Sequence, residues 1–407
     1  MCRRPARLCV GASSGRQETD EAWTSVSCHG PATSKERVLT MDLPARIGLV
    51  GCGIISSRYI EVSRELPEFE VGAIADVVAA AAESQAEKYG LKVLSLEDLV
   101  AAPDIDMVLN LTPPNAHFGV SKAALEAGKA VYSEKPLAAS FDQGQQLLAL
   151  AREKNLRVGC APDTFLGAGH QSARVYLDEG VIGAPVAATA FMMSRGHEYW
   201  HANPEFFYKP GGGPMLDMGV YYLTALVHLL GPVRRVTGSA RATWTKRTIH
   251  SEPRRGGIIE VEVPTYVAGL LDFESGAIGT IITSFDTQAS GLPRIELYGT
   301  TGTFNLPDPN TFGGPLQLRT AADQSWKELP LRFGHAGNSR GIGLADMAVS
   351  AIENTDHRAS GEMALHVLEI MEAIQLASET GRHVELTTRC ERPQSLPEGE
   401  YKGIRPA

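Results

Sequence analysis

The sequence predicts an α/β protein. An N-terminal Rossmann domain with a doubly wound parallel sheet should precede an α+β domain with an open, mostly antiparallel sheet. Three observations carry this. A glycine turn follows a short apolar run within residues 46–56. Apolar strand runs and helical patterns then alternate as far as Cys160. Beyond Asp163 come longer strands with polar alternation, one after another, as in an antiparallel sheet with one wet face.

The first stretch reads RIGLVGCGIIS. Ile47, Leu49 and Val50 suit a strand buried in a parallel sheet. Gly51, Gly53 and Ser56 follow, and Tyr59, Val62 and Leu66 then recur at helical spacing. Gly51 permits a tight turn, and Gly53, lacking Cβ, lets the backbone approach a pyrophosphate. Ile54 and Ile55 lead into the helix, whose free N–H groups and dipole supply the positive end. Ser56 replaces the usual third Gly or Ala and is small enough for close packing. Cys52 reads as a small filler within the turn.

Strands are expected at 71–75, 107–111, 130–133 and 156–160, with helices at 79–89, 96–101, 117–127 and 141–154. Such alternation gives a parallel sheet whose ligands sit at the carboxyl ends of the strands. Gly51, Asp76, Thr112 and Lys135 all fall at such ends. Asp76 lies 25 residues after Gly51, close to the ~20 expected of the acid that binds ribose hydroxyls. Val77 follows it, with no adjacent Arg or Lys, so NAD is favoured over NADP. The plain alternative is an N-cap for the next helix.

In the second half, a helix is expected at 171–179 and strands at 185–193, 236–244, 259–273, 277–284 and 294–298. Helices follow at 340–354 and 361–380, and the Pro- and charge-rich last residues should lie along the surface. The domains are therefore 41–163 for the nucleotide and 164–390 for substrate and oligomer contacts, with a surface tail at 391–407. Residues 1–40 lack periodicity and are expected to be a disordered extension. Arg3 and Arg4 are followed by no apolar segment of an export signal, and Glu18, Asp20 and Glu21 speak against a transit peptide. Met41 would be a natural start of the folded protein.

Composition narrows the function. The 407 residues are 43% hydrophobic and 21% charged, with net charge −9. That suits two folded domains and disfavours nucleic acid as a partner. No apolar run is long enough to cross a bilayer, so no membrane partner is expected. The six cysteines are scattered, as for free thiols in a cytoplasmic protein.

Four stretches bear chemistry. Glu134-Lys135-Pro136 ends a sheet strand on the nicotinamide side. Lys135 there can exchange a proton with a hydroxyl, its pKa lowered by partial burial and a nearby cationic ring. Residues 211–222 read GGGPMLDMGVYY; Asp217 and Tyr221, at i and i+4, share one helix face. A carboxylate beside a phenol can relay a proton, while Tyr221 as a core tyrosine is the bland alternative. Thr112, Pro113, Asn115 and His117 form the turn expected beside the nicotinamide ribose, with a helix cap by Asn115 as its alternative. Finally, residues 197–201 read HEYWH. His197, Trp200 and His201 are candidate substrate contacts, Trp200 offering a flat face to sugar C–H groups. A packing loop is the alternative. H-E-x-x-H also matches the zincin pattern, but that needs a helix, and Pro204 and the surrounding residues argue for a loop. No metal is expected.

Glycine turn, E-K-P and G-G-G-x-x-x-D-x-G together resemble the glucose–fructose oxidoreductase/inositol 2-dehydrogenase (Gfo/Idh/MocA) family across residues 45–381. The resemblance implies an NAD(P)-dependent oxidoreductase with hydride transfer at a sugar, glycoside or cyclic polyol carbon, and a homodimer or homotetramer. It implies Lys135 as catalytic lysine and Asp217 as substrate-orienting acid. Many members carry His four residues after that Asp, where this chain has Tyr221. Thr164-Phe165 also stands where Arg-Phe is usual. Glu134 is expected at the cofactor. A glycoside-cleaving enzyme that recycles NAD, and a non-catalytic nucleotide sensor, are the alternatives.

Overall fold

The computed structural model describes residues 42–399 and 403–404. The expected N-terminal extension, 1–40, lies outside the described residues. Six strands form the first sheet: β1 (Ala45–Val50), β2 (Phe69–Ala75), β3 (Lys92–Val93), β4 (Met107–Asn110), β5 (Ala130–Ser133) and β6 (Val158–Cys160). All pair in parallel, in the order β3-β2-β1-β4-β5-β6. Helices α1 (Ser56–Val62), α2 (Ala79–Tyr89), α3 (Leu96–Ala101), α4 (Pro114–Glu126) and α5 (Phe141–Glu153) connect them. The strand order reverses between β1 and β4, where a doubly wound sheet opens its ligand crevice.

Beyond β6, a 3₁₀ turn (Thr164–Leu166) leads into α6 (Ala168–Asp178) and β7 (Pro185–Met193). Next come α7 (Val220–Leu230), β8 (Val233–Arg241), β9 (Lys246–Thr248), β10 (Ile258–Glu260), β11 (Tyr266–Phe273) and β12 (Ile278–Ser284). The chain ends through β13 (Ile295–Gly299), β14 (Gly302–Leu306), β15 (Leu316–Thr320), β16 (Lys327–Leu329), α8 (Ile342–Glu353), α9 (Gly361–Thr380) and β17 (Val384–Glu385). Nine of these strands make an open sheet, in the order β16-β15-β14-β13-β7-β12-β11-β8-β17. Only β7 and β12 pair in parallel, so the sheet is mostly antiparallel as expected.

Several boundaries differ from the sequence reading. The strand expected at 259–273 is two: β10 pairs with β9 in a separate ribbon, and β11 joins the large sheet. Pro264, with no N–H to donate, lies in the break. Strands β14 to β17 were not foreseen. Residues 215–219 form a π turn rather than α-helix. The tail is not merely superficial, since Leu396 and Ile404 are buried. Leu396 N–H donates to Gln171 Oε1 at 2.7 Å, and Ile404 N–H to Glu68 Oε1 at 2.9 Å.

Helix α7 is mostly apolar and buried on every side. Helix α9 covers one face of β8 and β11 and also touches β6 and α5. Helix α9 thus belongs to both sheets, while α8 packs on β2 and β6 of the first. Leu270 and Ile278 stand exposed on the opposite face of the large sheet. At the junction after β6, buried Asp163 accepts the N–H groups of Gly341 and Gly343 through Oδ2, at 2.8 and 3.0 Å.

Burial pushes the Asp163 carboxyl up to about 6 against these two donors. Protonated Asp163 therefore favours the folded state at low pH, and this gain is lost as pH rises from 3.8 through about 6. Asp163→Asn keeps an oxygen for both donors and removes the titration. The stability of the natural protein relative to this variant should fall across that window in thermal melts; a flat difference contradicts the assignment.

Candidate active site

The nucleotide side is built on the carboxyl ends of β1, β2, β4 and β5. Gly51 has φ +102°, and a Cβ there would lie 2.7 Å from the Leu111 carbonyl carbon. Only glycine fits this turn. Gly53 differs: a Cβ would meet nothing within 4 Å, so its bare backbone faces open space. Ile54 is 94% exposed, and Ile55 precedes the first residue of α1. Ser56 is buried and its Oγ donates to the Gly53 carbonyl at 2.6 Å. Burial, then the Asp76 charge, pushes the Cys52 thiol up to about 11, which suits a filler.

Asp76 faces back to this turn. Its Oδ2 accepts the Cys52 N–H at 2.6 Å, and its Oδ1 the Val78 N–H at 2.7 Å. It is not the N-cap of α2; Val78 holds that place. Val77 beside it is fully exposed, and Val78 is more than half exposed. Asp76 is thus a carboxylate followed by two exposed valines, with no cation after it in sequence.

At the end of β4, Thr112 donates through Oγ1 to Asn110 Oδ1 at 2.6 Å. Pro113 is the N-cap of α4, and no side chain caps that helix. Asn115 is exposed on its first turn and does not act as the cap. His117 turns inward. Its two ring nitrogens each stand 2.7 Å from a carbonyl oxygen, Pro136 for Nδ1 and Thr112 for Nε2. It ties the two turns together from beneath. Glu134 accepts the Tyr59 hydroxyl at 3.0 Å and the Lys135 N–H at 3.0 Å, linking β5 to α1.

Lys135 crosses from this sheet to the start of α7. Its Nζ donates to the Asp217 carbonyl at 2.6 Å and to Asp217 Oδ1 at 2.9 Å. His197 Nε2 lies 3.2 Å from Asp217 Oδ2, so the carboxylate bridges a lysine and a histidine. Lys135 Nζ also sits 5.2 Å from the centre of the Tyr221 ring. Asp217 lies in the π turn and Tyr221 in α7, and both stand near Lys135 Nζ.

The electrostatics differ from the sequence expectation for Lys135. Burial pulls its pKa down, but Asp217, Tyr221 and Glu134 outweigh burial and hold it above the ordinary lysine value. Burial opposes the Asp217 charge too, yet Lys135 and His197 keep its carboxyl below the usual carboxylate range. Free of ligand, the pair is an ion pair. Burial raises Tyr221, partly offset by the Lys135 and Arg340 charges.

The HEYWH segment begins in a single 3₁₀ turn, His197–Tyr199, and not a helix. Among the described residues no group of His, Cys, Asp and Glu could hold a metal ion. His197 is buried against Phe207 and Trp200, with ring centres 3.9 and 5.1 Å away. Trp200 is 65% exposed. His201 packs edge-on against Trp200, Phe206 and Phe207, one aromatic layer away from Asp217. Behind them, Arg247 binds Glu198 Oε1 and Asp286 Oδ1, each at 2.7 Å, and all three are nearly fully buried. Tyr208 donates to the other Glu198 oxygen. Arg247, Asp286, Tyr208 and Arg340 carry no local motif, and the sequence reading passed over them.

Comparison with known proteins points to one family. Residues 45–161 match the oxidoreductase family with NAD-binding Rossmann fold, and residues 170–305 match the GFO/IDH/MocA C-terminal domain. The chain is 28% identical over 355 residues to 1,5-anhydro-D-fructose reductase of Ensifer adhaerens, covering 84% of this chain and 99% of that one. It is 28% identical over 296 residues to inositol 2-dehydrogenase 3 of Saccharopolyspora erythraea, covering 70% and 80% respectively. The crystal structure of an NAD binding oxidoreductase from Klebsiella pneumoniae superposes with TM-score 0.74 and 26% identity, over 84% of this chain and 99% of that one. The two family matches together span more than half of the chain, which belongs to the GFO/IDH/MocA family of NAD-binding oxidoreductases.

Proposed function

We propose that the protein is a dehydrogenase acting between NAD and a hydroxyl-bearing carbon of a sugar, glycoside or cyclic polyol. The observation that carries this reading is the Lys135–Asp217–His197 bridge beside Tyr221, at the strand ends that also carry Gly53 and Asp76. The names of the two relatives, an anhydrofructose reductase and an inositol dehydrogenase, support the substrate class.

The open cradle at Gly53 fits a pyrophosphate, contacted by residues Gly51, Gly53, Ile54 and Ile55. Asp76 would hold the ribose hydroxyls, because each of its oxygens keeps a lone pair beyond its one amide. A 2′-phosphate would meet that carboxylate with no cation following it, which favours NAD over NADP. Thr112, Pro113 and Asn115 would flank the nicotinamide ribose, with His117 fixing their turn and Glu134 fixing Lys135. When bound, the nicotinamide supplies the hydride acceptor or donor.

The chain's own residues handle the substrate oxygen. Protonated Lys135 donates to it, Asp217 keeps Lys135 and His197 in register, and Lys135 or Tyr221 exchanges the hydroxyl proton. His197 Nδ1 is buried with no partner among the described residues, which marks it for a ligand hydroxyl. Trp200 and His201 would border the sugar ring on the solvent side. The exposed Leu270 and Ile278 face supports a homodimer or homotetramer.

Absorbance of reduced nicotinamide should appear with one class in a panel of sugars, glycosides, anhydrosugars and inositols, and more strongly with NAD than NADP. Silence across the panel with NAD bound contradicts the reading. Lys135→Met should keep NAD affinity by calorimetry and lose about 10² to 10⁴-fold in turnover; unchanged turnover contradicts its role. Gly53→Ala should weaken NAD binding without changing the melting temperature. Gly51→Ala should cost about 1 kcal/mol or more of stability, because its φ and its neighbour forbid a side chain. Equal melts for the two variants would refute the distinction.

A further inference from the structure

His197 meets Asp217 from a single 3₁₀ turn, three residues long. So short a turn has little stability of its own, and its place is set by what grips it. The grip converges on Arg247. Its Nε donates to Glu198 Oε1 and its Nη1 to Asp286 Oδ1, each at 2.7 Å. Its Nη2 donates to the carbonyl oxygens of Arg195 at 2.8 Å and Phe285 at 2.9 Å. Four hydrogen bonds thus draw on a group with five N–H donors.

These acceptors surround His197. Arg195 stands two residues before it and Glu198 one after. The Phe285 ring meets the His197 ring edge-on, with centres 4.6 Å apart, and Asp286 follows Phe285. Tyr208 closes the circle, since its hydroxyl donates to Glu198 Oε2 and accepts the His197 N–H at 3.2 Å. Gly196 has φ +107°, and a Cβ there would stand 2.6 Å from the Tyr208 hydroxyl oxygen and 2.9 Å from Arg247 Nη2. The network closes only over a glycine.

We propose that Arg247 is the positioning residue for His197. It grips the chain on both sides of the imidazole, and the Phe285 backbone behind the ring's aromatic neighbour, and so holds Nε2 against Asp217. Its effect on turnover rests on the dehydrogenase reading; its hold on the ring does not. The Asp217 carboxylate only accepts, so in the neutral ring Nε2 carries the proton and Nδ1 is bare. A ring that loses its place loses this preference between its nitrogens. Charge alone cannot supply the hold. A lysine at 247 keeps a cation beside Glu198 and Asp286 but presents it at one point, and it cannot reach four acceptors spread around a planar fork. Arg247→Lys therefore separates position from charge.

Two measurements test this. Nitrogen NMR of the full-length protein, with labelled histidine, reads the ring without any turnover, and the spectrum of His197→Asn identifies the His197 signals. The unaltered protein should show the Nε2–H tautomer at His197. Arg247→Lys should move both ring nitrogens toward the average of the two tautomers. Tyr208→Phe, which removes only a hydroxyl, should move them the same way, and it decides the matter if thermal melts show Arg247→Lys unfolded. In alcohol oxidation, Arg247→Lys should lower kcat/KM by about 10- to 10²-fold, the scale of a small misplacement, with NAD affinity by calorimetry unchanged. In a His197→Asn background the same substitution should cost little more. A His197 ring already averaged in the unaltered protein, or unmoved by the variants, overturns the proposal. So does an equal loss of kcat/KM with and without His197, which makes Arg247 a stabilising residue only. No turnover of any alcohol by the unaltered protein would instead defeat the dehydrogenase reading, while the tautomer still decides what Arg247 does.

Discussion

The contact on which the rest depends is the ion pair between Lys135 and Asp217. Lys135 comes from the end of a parallel strand and Asp217 from the turn that opens α7. Their side chains are only 17% and 15% exposed. Neither charge would be tolerable there alone, since an unpaired buried charge costs several kcal/mol. Each therefore requires the other, and the two sheets must meet in one register to satisfy both. The glycines ahead of Asp217 serve this, because the Asp217 N–H bonds the Gly213 carbonyl at 3.0 Å and Gly213 N–H bonds the Phe207 carbonyl at 2.7 Å.

Everything around the pair reads as support for its geometry. Glu134 and His117 hold the two turns on the parallel-sheet side. On the other side, His197 is held by its neighbour Glu198, which is locked by Arg247 and Tyr208. Asp163 ties the start of α8 to the end of β6. Groups whose rotamers are set by a second layer of hydrogen bonds can hold a reacting oxygen without moving, which is what proton transfer requires.

The parallel sheet, the glycine turn and the E-K-P and G-G-G stretches were legible because each is a local pattern: a strand, a turn and a helix start within about a dozen residues. Asp217 and Tyr221 were picked out from the glycine-rich stretch, although the π turn at 215–219 was not foreseen. What escaped is long-range. Arg247 sits in a three-residue strand with no pattern around it, and its partners Glu198 and Asp286 lie far from it along the chain. The break at Pro264 escaped because apolar residues continue on both sides of it. The protonation of Lys135 was misjudged for the same reason: burial can be guessed from position, but the Asp217 carboxylate against Nζ belongs to the tertiary fold.

The most direct test of the pair as one functional unit is a double-mutant cycle on turnover, using Lys135→Met, Asp217→Asn and both together, with NAD affinity measured in each. If the pair acts as a unit, the double variant loses little more than the worse single variant. If the two losses multiply, Lys135 and Asp217 act independently, and the site is not organised around their contact.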